Sequence, residues 1–535
     1  WTVDKQGYGT QSIIAQGVVS KAQAGNTFYI TPKILEVTPT IGTVGSIVTV
    51  RCDGYGADEE VSLTLGKTVG IVMVRASNGG TFTTTFTIDS QRYGTQALII
   101  EGVNSKHPME SSVYITPEVV SVLPDSGTVG TLVTVSGTGY GIGEVLRVGF
   151  GKTMTVVTGT ASNDGTFTTV FTVDTQGYAA KTITVEGVQT LHPATNTFFI
   201  LPEIVGMTPT GGTVGTFVTL ACTGYGSGEM VRVDFGKTMS IVVSVASLDG
   251  TFTAVFTIDT QAYATRTVTV EGVVTGDARK TTCYIIPEIV SIVPTKGSVG
   301  TFVTVIGSGY GDAETMMVDF GLTANIVSGV SSNDGSFTLM FTIDTQKYGT
   351  KTIVAEGLAT QYPVARTFCV IPQIISVKPS IGTVGTMVTI ACSGYAGLEN
   401  VRVDFGQTTN MVIGVTDQSG TFTAMFMVDV QRYGTRSITG TGIDSKAVAE
   451  NTFYITPEII SVTPSSGTVG TFVTIECSGY GSGEDVRIAF GKTNSIVTGM
   501  ASTDGTFTAV FTVDAQRYAT CTIRATGIIT QHTAN

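Results

Sequence analysis

Three histidines, His107, His192 and His532, are the only imidazoles in 535 residues. All three fall at one position of a repeating pattern, where the other copies hold Ala22, Asp277, Tyr362 and Ala447. A general base or nucleophile relay needs a fixed partner within hydrogen-bond reach, and none recurs beside them. The expectation is a variable, exposed loop tip. Six glutamates, Glu59, Glu144, Glu229, Glu314, Glu399 and Glu484, share a second position, in a glycine-rich loop. A hard cation wants six to eight oxygens gathered closely. One glutamate per loop is not such a set, so loop hydrogen bonding is expected, with a junction calcium ion as the alternative. Of seven cysteines, Cys52, Cys222, Cys392 and Cys477 occupy one position, exchanged there for Gly137 and Gly307. That exchange points to a small buried site. Cys283, Cys369 and Cys521 lie at three other positions, so no copy holds a regular bridging pair. No phosphate loop, metal-ligand spacing or nucleophile elbow is present. No catalytic, cofactor-binding or metal residue is therefore expected, and the chain reads as no enzyme.

What positions these residues is a repeat. Gly-Thr-Val-Gly-Thr-(apolar)-Val-Thr, as at Gly127 to Thr134, returns in near-identical form at Gly42, Gly212, Gly297, Gly382 and Gly467, each step 85 residues without insertion or deletion. Each copy has a Pro before it (Pro124) and a Tyr after it (Tyr140). A fixed period means that each unit is one structural module. Eighty-five residues can bury a small core, so separate beads are expected instead of a solenoid. The divisions are 1–31 (the tail of a unit), 32–116, 117–201, 202–286, 287–371, 372–456 and 457–535, the last lacking its final strand. Two readings of the ends stand side by side. One is a window cut from a longer array. The other is strand exchange, with Asn26 to Thr31 of another subunit completing the last module.

Charged residues make up 13% of the chain, against about 25% in an ordinary soluble domain. So few charges suggest that neighbouring copies cover the surface, or that Thr hydroxyls and glycans keep it wet. The net charge of −12 argues against nucleic acid as a partner. Mean hydropathy is +0.30, yet no apolar run is long enough to span a membrane.

In 117–201, period-2 alternation and turn residues predict seven strands: Glu118–Leu123, Leu132–Ser136, Val145–Phe150, Met154–Thr160, Thr166–Asp174, Thr182–Val188 and Asn196–Leu201. Val133 and Val135 should face inward, as should Phe167, Thr169, Phe171 and Val173. Asn163-Asp164-Gly165 reads as a hairpin turn. Seven short strands with such spacing give the fold class: all-β, a tandem array of seven-stranded immunoglobulin-like sandwiches. Asp-x-Gln-x-Tyr occurs seven times, ending at Tyr8, Tyr93, Tyr178, Tyr263, Tyr348, Tyr433 and Tyr518. It falls just before the sixth strand, where sandwiches place a tyrosine corner with its hydroxyl tied to nearby backbone. A metal or ligand site at its Asp is the alternative.

Modules meet without a linker, as in Phe198-Phe-Ile-Leu-Pro202-Glu-Ile-Val. Proline fixes φ there and no flexible spacer intervenes. A stiff array follows; six beads on the order of 40 Å each would reach roughly 250 Å. The fourth strand carries adjacent apolar pairs, among them Ile71-Val72, Val156-Val157, Ile326-Val327, Met411-Val412 and Ile496-Val497. Neighbours on a strand face opposite sides, so one of each pair should point outward and invite pairing with another chain, unless a loop covers it.

The run Pro117-Glu-Val-Val-Ser-Val-Leu-Pro124, continued through Gly127-Thr-Val-Gly-Thr to Tyr140 and then Val148-Gly-Phe150-Gly151, resembles the IPT/TIG family of immunoglobulin-like domains. Asp164-Gly-Thr-Phe and Thr182-Ile-Thr-Val-Glu-Gly resemble the long repeat arrays of prokaryotic surface proteins that carry such domains. The likeness covers nearly the whole chain. Its Gln-x-Tyr corner departs from the Pro-rich turns of many relatives. The resemblance implies an extracellular or cell-surface place, with spacer, adhesive or filament-building duty, and supplies no catalytic residues. The expectation is a structural rod that associates with copies of itself in a filament, sheath or surface layer. The alternative is the spacer stalk of an adhesin, whose variable tips such as Lys106-His-Pro-Met109 would be spacer variation or glycan contacts.

Overall fold

The computed structural model describes residues 1–535 and contains strands and turns but no helix. The chain is a tandem series of immunoglobulin-like β-sandwiches. Two compact units are resolved: Trp1–Thr210 with Phe217–Thr257 and Arg266–Cys283, and Gly211–Thr216 with Ile258–Thr265 and Tyr284–Asn535. The division passes through the stretch 202–286.

The stretch 117–201, in the first unit, serves as the example. Its strands are β1 Glu118–Leu123, β2 Ser126–Gly127, β3 Leu132–Thr138, β4 Val145–Phe150, β5 Thr153–Thr160, β6 Phe167–Thr172, β7 Ala179–Gly187 and β8 Pro193–Ile200. One sheet has the order β1-β3-β6 and the other β2-β8-β7-β4-β5. Strand β1 starts in the three-stranded sheet. Pro124 has no N–H to continue that ladder. The chain then crosses, and Ser126 and Gly127 pair in parallel with Phe199 and Ile200 of β8. The core lies between the sheets, with Val133, Val135, Leu146, Val148, Phe167, Phe171, Ile183, Val185, Phe198 and Ile200 buried. These are the inward members of alternating strands.

In the second unit, 287–371 and 372–456 repeat both sheet orders. The stretch 457–535 has a three-stranded and a four-stranded sheet, its last strand being only Thr533–Ala534. At the other end, Gly9–Gln16 and Gln23–Ile30 form a two-stranded hairpin.

Two local expectations are corrected. Asn163-Asp164-Gly165 is a turn but not a hairpin: β5 and β6 belong to different sheets, and the turn carries the chain across the sandwich. The paired apolar residues of β5 do not divide into inward and outward members. Val156 and Val157 both pack against the core, as do Ile71 with Val72, Ile326 with Val327, Met411 with Val412 and Ile496 with Val497. The cause is the curl of this edge strand over β6. A Cβ on Gly159 would lie 3.5 Å from Thr169, and one on Gly414 would lie 2.8 Å from Phe422. Strand β6 thus covers the second residue of each pair.

The cysteines are free thiols. Cys52, Cys222, Cys392 and Cys477 are buried, and burial pushes each thiol up to about 12. A thiol so protonated is inert. Where glycine replaces it, a Cβ on Gly137 would sit 2.4 Å from the ring of Phe167. The phenylalanine occupies that space instead.

Candidate functional site at the module junctions

The chemistry-bearing residues converge where one module meets the next. The meeting is built on two loops. The first is the glycine-rich loop after β3, which carries Tyr140. Its ring is fully buried against Phe167, centroids 5.1 Å apart. Its hydroxyl donates to the carbonyl of Val185 at 3.3 Å, and its N–H donates to the carbonyl of Gly165 at 3.0 Å. Burial raises its hydroxyl well above the ordinary tyrosine value, so it stays a donor. Tyr55, Tyr225, Tyr310, Tyr395 and Tyr480 repeat the hydroxyl bond. Gly139 lets this loop lie on the module boundary. Its φ is +78°, and a Cβ there would stand 2.5 Å from the carbonyl oxygen of Thr116, just before Pro117.

The second loop is the Asp-x-Gln-x-Tyr corner of the preceding module. Gln91 is buried, and donates to the carbonyl of Leu65 (3.2 Å) and to Asp89 (2.7 Å). Asp89 also accepts the hydroxyl of Thr68. Asp174, Asp344, Asp429 and Asp514 accept Thr153, Thr323, Thr408 and Thr493 in the same way. The Asp oxygens are thus engaged in fastening the corner to the β4–β5 turn.

The corner tyrosine then reaches across the boundary. The N–H of Tyr93 donates to the carbonyl of Tyr140 at 3.0 Å. The same bond joins Tyr8 to Tyr55, Tyr178 to Tyr225, Tyr263 to Tyr310, Tyr348 to Tyr395 and Tyr433 to Tyr480, at 2.7–2.9 Å. The first three of these six junctions lie within the first unit and the last three within the second. Gly165 completes the contact. A Cβ on it would lie 2.5 Å from the Tyr140 carbonyl oxygen and 3.0 Å from the Cα of Arg92 in the preceding corner. Only a residue without Cβ admits that approach.

The tyrosine-corner role is therefore assigned differently from the sequence expectation. The tyrosine whose hydroxyl is tied to backbone inside the sandwich is Tyr140 and its equivalents. The hydroxyl of Tyr93 instead meets that of Tyr114, at 2.6 Å, on its own module's last strand.

The glutamates position a third piece of the boundary. Glu144 is buried and accepts the N–H groups of Gly141 (2.6 Å), Thr190 (3.2 Å) and Gln189 (3.4 Å), and the Thr190 hydroxyl (3.2 Å). Glu314 makes the same set with Gly311, Ala359 and Thr360. At Glu59, burial alone would raise the carboxyl. The N–H groups of Ser105, Gly56 and Asn104 outweigh it and hold the group below the ordinary glutamate value.

This clasp fixes the β7–β8 loop, whose tip carries the histidines. His192 packs on Tyr93 of the preceding corner with ring centroids 5.9 Å apart; His107 meets Tyr8 at 6.2 Å and His532 meets Tyr433 at 4.8 Å. At Tyr178, burial first and then the neighbouring Asp277 carboxylate raise the hydroxyl above its ordinary value. In these four modules the variable position is thus a junction contact and not the free loop tip expected from its variation. Nothing local to the position names that neighbour, and its variation, with Ala22 and Ala447 among its residues, hides the contact.

Fold and junction define a class: a tandem immunoglobulin-like repeat protein whose modules dock directly on one another. No protein-family model and no curated protein matches the chain. Among solved structures it is similar to invasin, a bacterial integrin-binding protein, at 13% identity over 66% of this chain and 81% of that one, with a TM-score of 0.19. It is similar to the D1–D4 ectodomain fragment of ICAM-5 at 14% identity, over 63% and 98%, with a TM-score of 0.19. It is similar to domains 4–9 of the surface layer protein SbsC at 11% identity, over 94% and 97%, with a TM-score of 0.15. No helix is long and apolar enough to cross a membrane.

Proposed function

We propose that this chain is an extracellular structural repeat protein, a stiff rod that assembles with copies of itself into a filament, sheath or surface layer. One observation carries the reading: the same hydrogen-bonded junction recurs at six module boundaries with no linker between them. A repeated, linker-free contact fixes each module against the next, which is what a load-bearing or spacing element requires. The carboxylates of Glu144, Asp174 and their equivalents are taken up by hydrogen bonds within their own loops, so we assign the junction no catalytic, cofactor or metal role. The extracellular, prokaryotic placement rests on the resemblance to IPT/TIG-like domains. The junction equally suits the spacer stalk of a surface adhesin. What favours assembly is the apolar surface described below.

Electron microscopy of the purified chain across a concentration series tests this. Fibres, sheets or tubes with a spacing that is a multiple of one module are expected. Single beaded threads at every concentration would overturn assembly and leave the stalk.

A further inference from the structure

The outer face of each three-stranded sheet leaves apolar side chains in water at fixed repeat positions. On β3 these are Ile47, Leu132, Phe217, Phe302, Met387 and Phe472, between 54% and 75% exposed. On β6, Val170, Val255, Met340, Met425 and Val510 are about half exposed or more, with Thr85 at the sixth position. The register brings the two positions together. Leu132 stands opposite Thr172, and Val170 opposite Thr134, so Leu132 and Val170 are diagonal neighbours on one face. Phe302 with Met340 and Phe472 with Val510 repeat the pair. The rest of the face is largely Ser and Thr.

The part of the face formed by β3 and β6 is also sparsely charged. Strands β3 and β6 and their equivalents carry only Arg51, Asp53 and Glu476 at outward positions, while the first strand opens with Lys33, Glu118, Glu203, Glu288 or Glu458 and adds Glu36 and Lys378. Glu36 and Arg51 lie 3.8 Å apart. A soluble surface ordinarily carries charge at about a quarter to a third of its positions. The whole chain carries −12.

We infer that this face is the lateral contact between copies of the chain, seated face to face on the same apolar pairs. The inference rests on the assembly reading above and names its surface. Three arguments select a second copy as the occupant. The first is area. An aromatic ring offers on the order of 150–250 Å², so two or three partly exposed side chains per module supply roughly 200–300 Å². A specific interface needs about 800 Å² from each partner. A partner that meets one patch falls short, whereas a second copy carries a matching patch in every complete module. The second is charge. Two copies each carrying −12 repel, and the apolar pairs lie on the two strands of this sheet whose outward positions carry only Arg51, Asp53 and Glu476. The third is where the pairs sit: they lie on the flat of the sheet, and the edge strand β5 keeps its own apolar pair covered.

The test uses the whole chain. Ile47, Leu132, Phe217, Phe302, Met387 and Phe472 are replaced together by Lys, and in a second variant by Thr, which keeps strand propensity. A control replaces the exposed Val69, Met154, Met239 and Leu322, at and just before β5, by Lys. Circular dichroism and thermal melting check the fold, and sedimentation and light scattering measure association. The expected result is self-association of the parent and of the control, weakened at least ~100-fold in both face variants. Association of the folded face variants at parental strength would overturn the assigned face while leaving assembly standing. A parent that stays monomeric at high concentration would overturn both.

Discussion

The junction and the outer face of the three-stranded sheet recur in every complete module, and they are opposites. At the junction the glutamate and the loop tyrosine are fully engaged: Glu144 accepts three N–H groups and Tyr140 both donates and accepts. The outer face is unfinished. Phe302 and Phe472 stand 75% and 71% exposed on strands whose outward positions are sparsely charged. The contrast teaches where the chain completes itself and where it needs company. Buried polar groups must be satisfied within the chain, because leaving one unpaired costs about 1–3 kcal/mol. Exposed apolar side chains cost the monomer little, so they persist where association is their use.

Substitutions should separate the two regions sharply. The largest loss is expected at Tyr140. Tyr140→Ala should lower module stability by about 3–5 kcal/mol, through a cavity and a lost anchor for the loop. Tyr140→Phe should lose only about 1 kcal/mol, for the bond to Val185. Denaturant unfolding measures both, and equal losses would show that the hydroxyl, not the ring, anchors the junction. Next is Glu144→Ala, which orphans the N–H groups of Gly141 and Thr190 and should cost about 2–3 kcal/mol. The outer face should behave oppositely. Leu132→Thr should change stability by no more than ~0.5 kcal/mol, yet weaken association when repeated along the chain. A large stability loss there would mean that the face is already covered within the monomer.

Smaller still is the response to acid. Glu59 is held below its ordinary value of 4.5, and the hydroxyls of Ser162 and Thr166 hold Asp164 down at about 2. A depressed carboxyl contributes stability that is complete above its unfolded pKa and lost as pH falls through the folded one. Melting temperature should therefore be flat above about pH 4.5 and decline below it, with the Asp164 contribution going last, near pH 2. Glu59→Gln should flatten part of that decline. The smallest effect belongs to His192→Ala. An aromatic contact of this kind is worth about 0.5–1.5 kcal/mol at most, and Ala447 at the same position of another module shows the site works without a ring.

Much of the module was legible because its strands obey a period of two. Val133 and Val135 announce their face, and Pro124, Gly127 and Gly165 mark where the chain must turn. The fastening of Tyr93 was not legible. Two tyrosines recur in every module with similar settings, and which one buries its hydroxyl depends on Val185, 45 residues beyond Tyr140. The covering of Val156 and Val157 depended on strand twist, which alternation ignores. The outer face had a signal that the strand pattern already contained. If Val133 points inward, Leu132 must point outward, and the apolar place in Gly-Thr-Val-Gly-Thr-(apolar)-Val-Thr is that very position. Its meaning emerges only once β6 is seen to set Val170 beside it.

The central claim is that the junction bond from each corner tyrosine to the next loop tyrosine holds consecutive modules in one arrangement. Single-particle electron microscopy of the chain under conditions that keep it monomeric measures the angle between neighbouring modules directly. The account predicts one narrow distribution at each of the six boundaries, broadened by Gly165→Val at its own boundary alone. A broad, freely jointed distribution in the unmodified chain would contradict it.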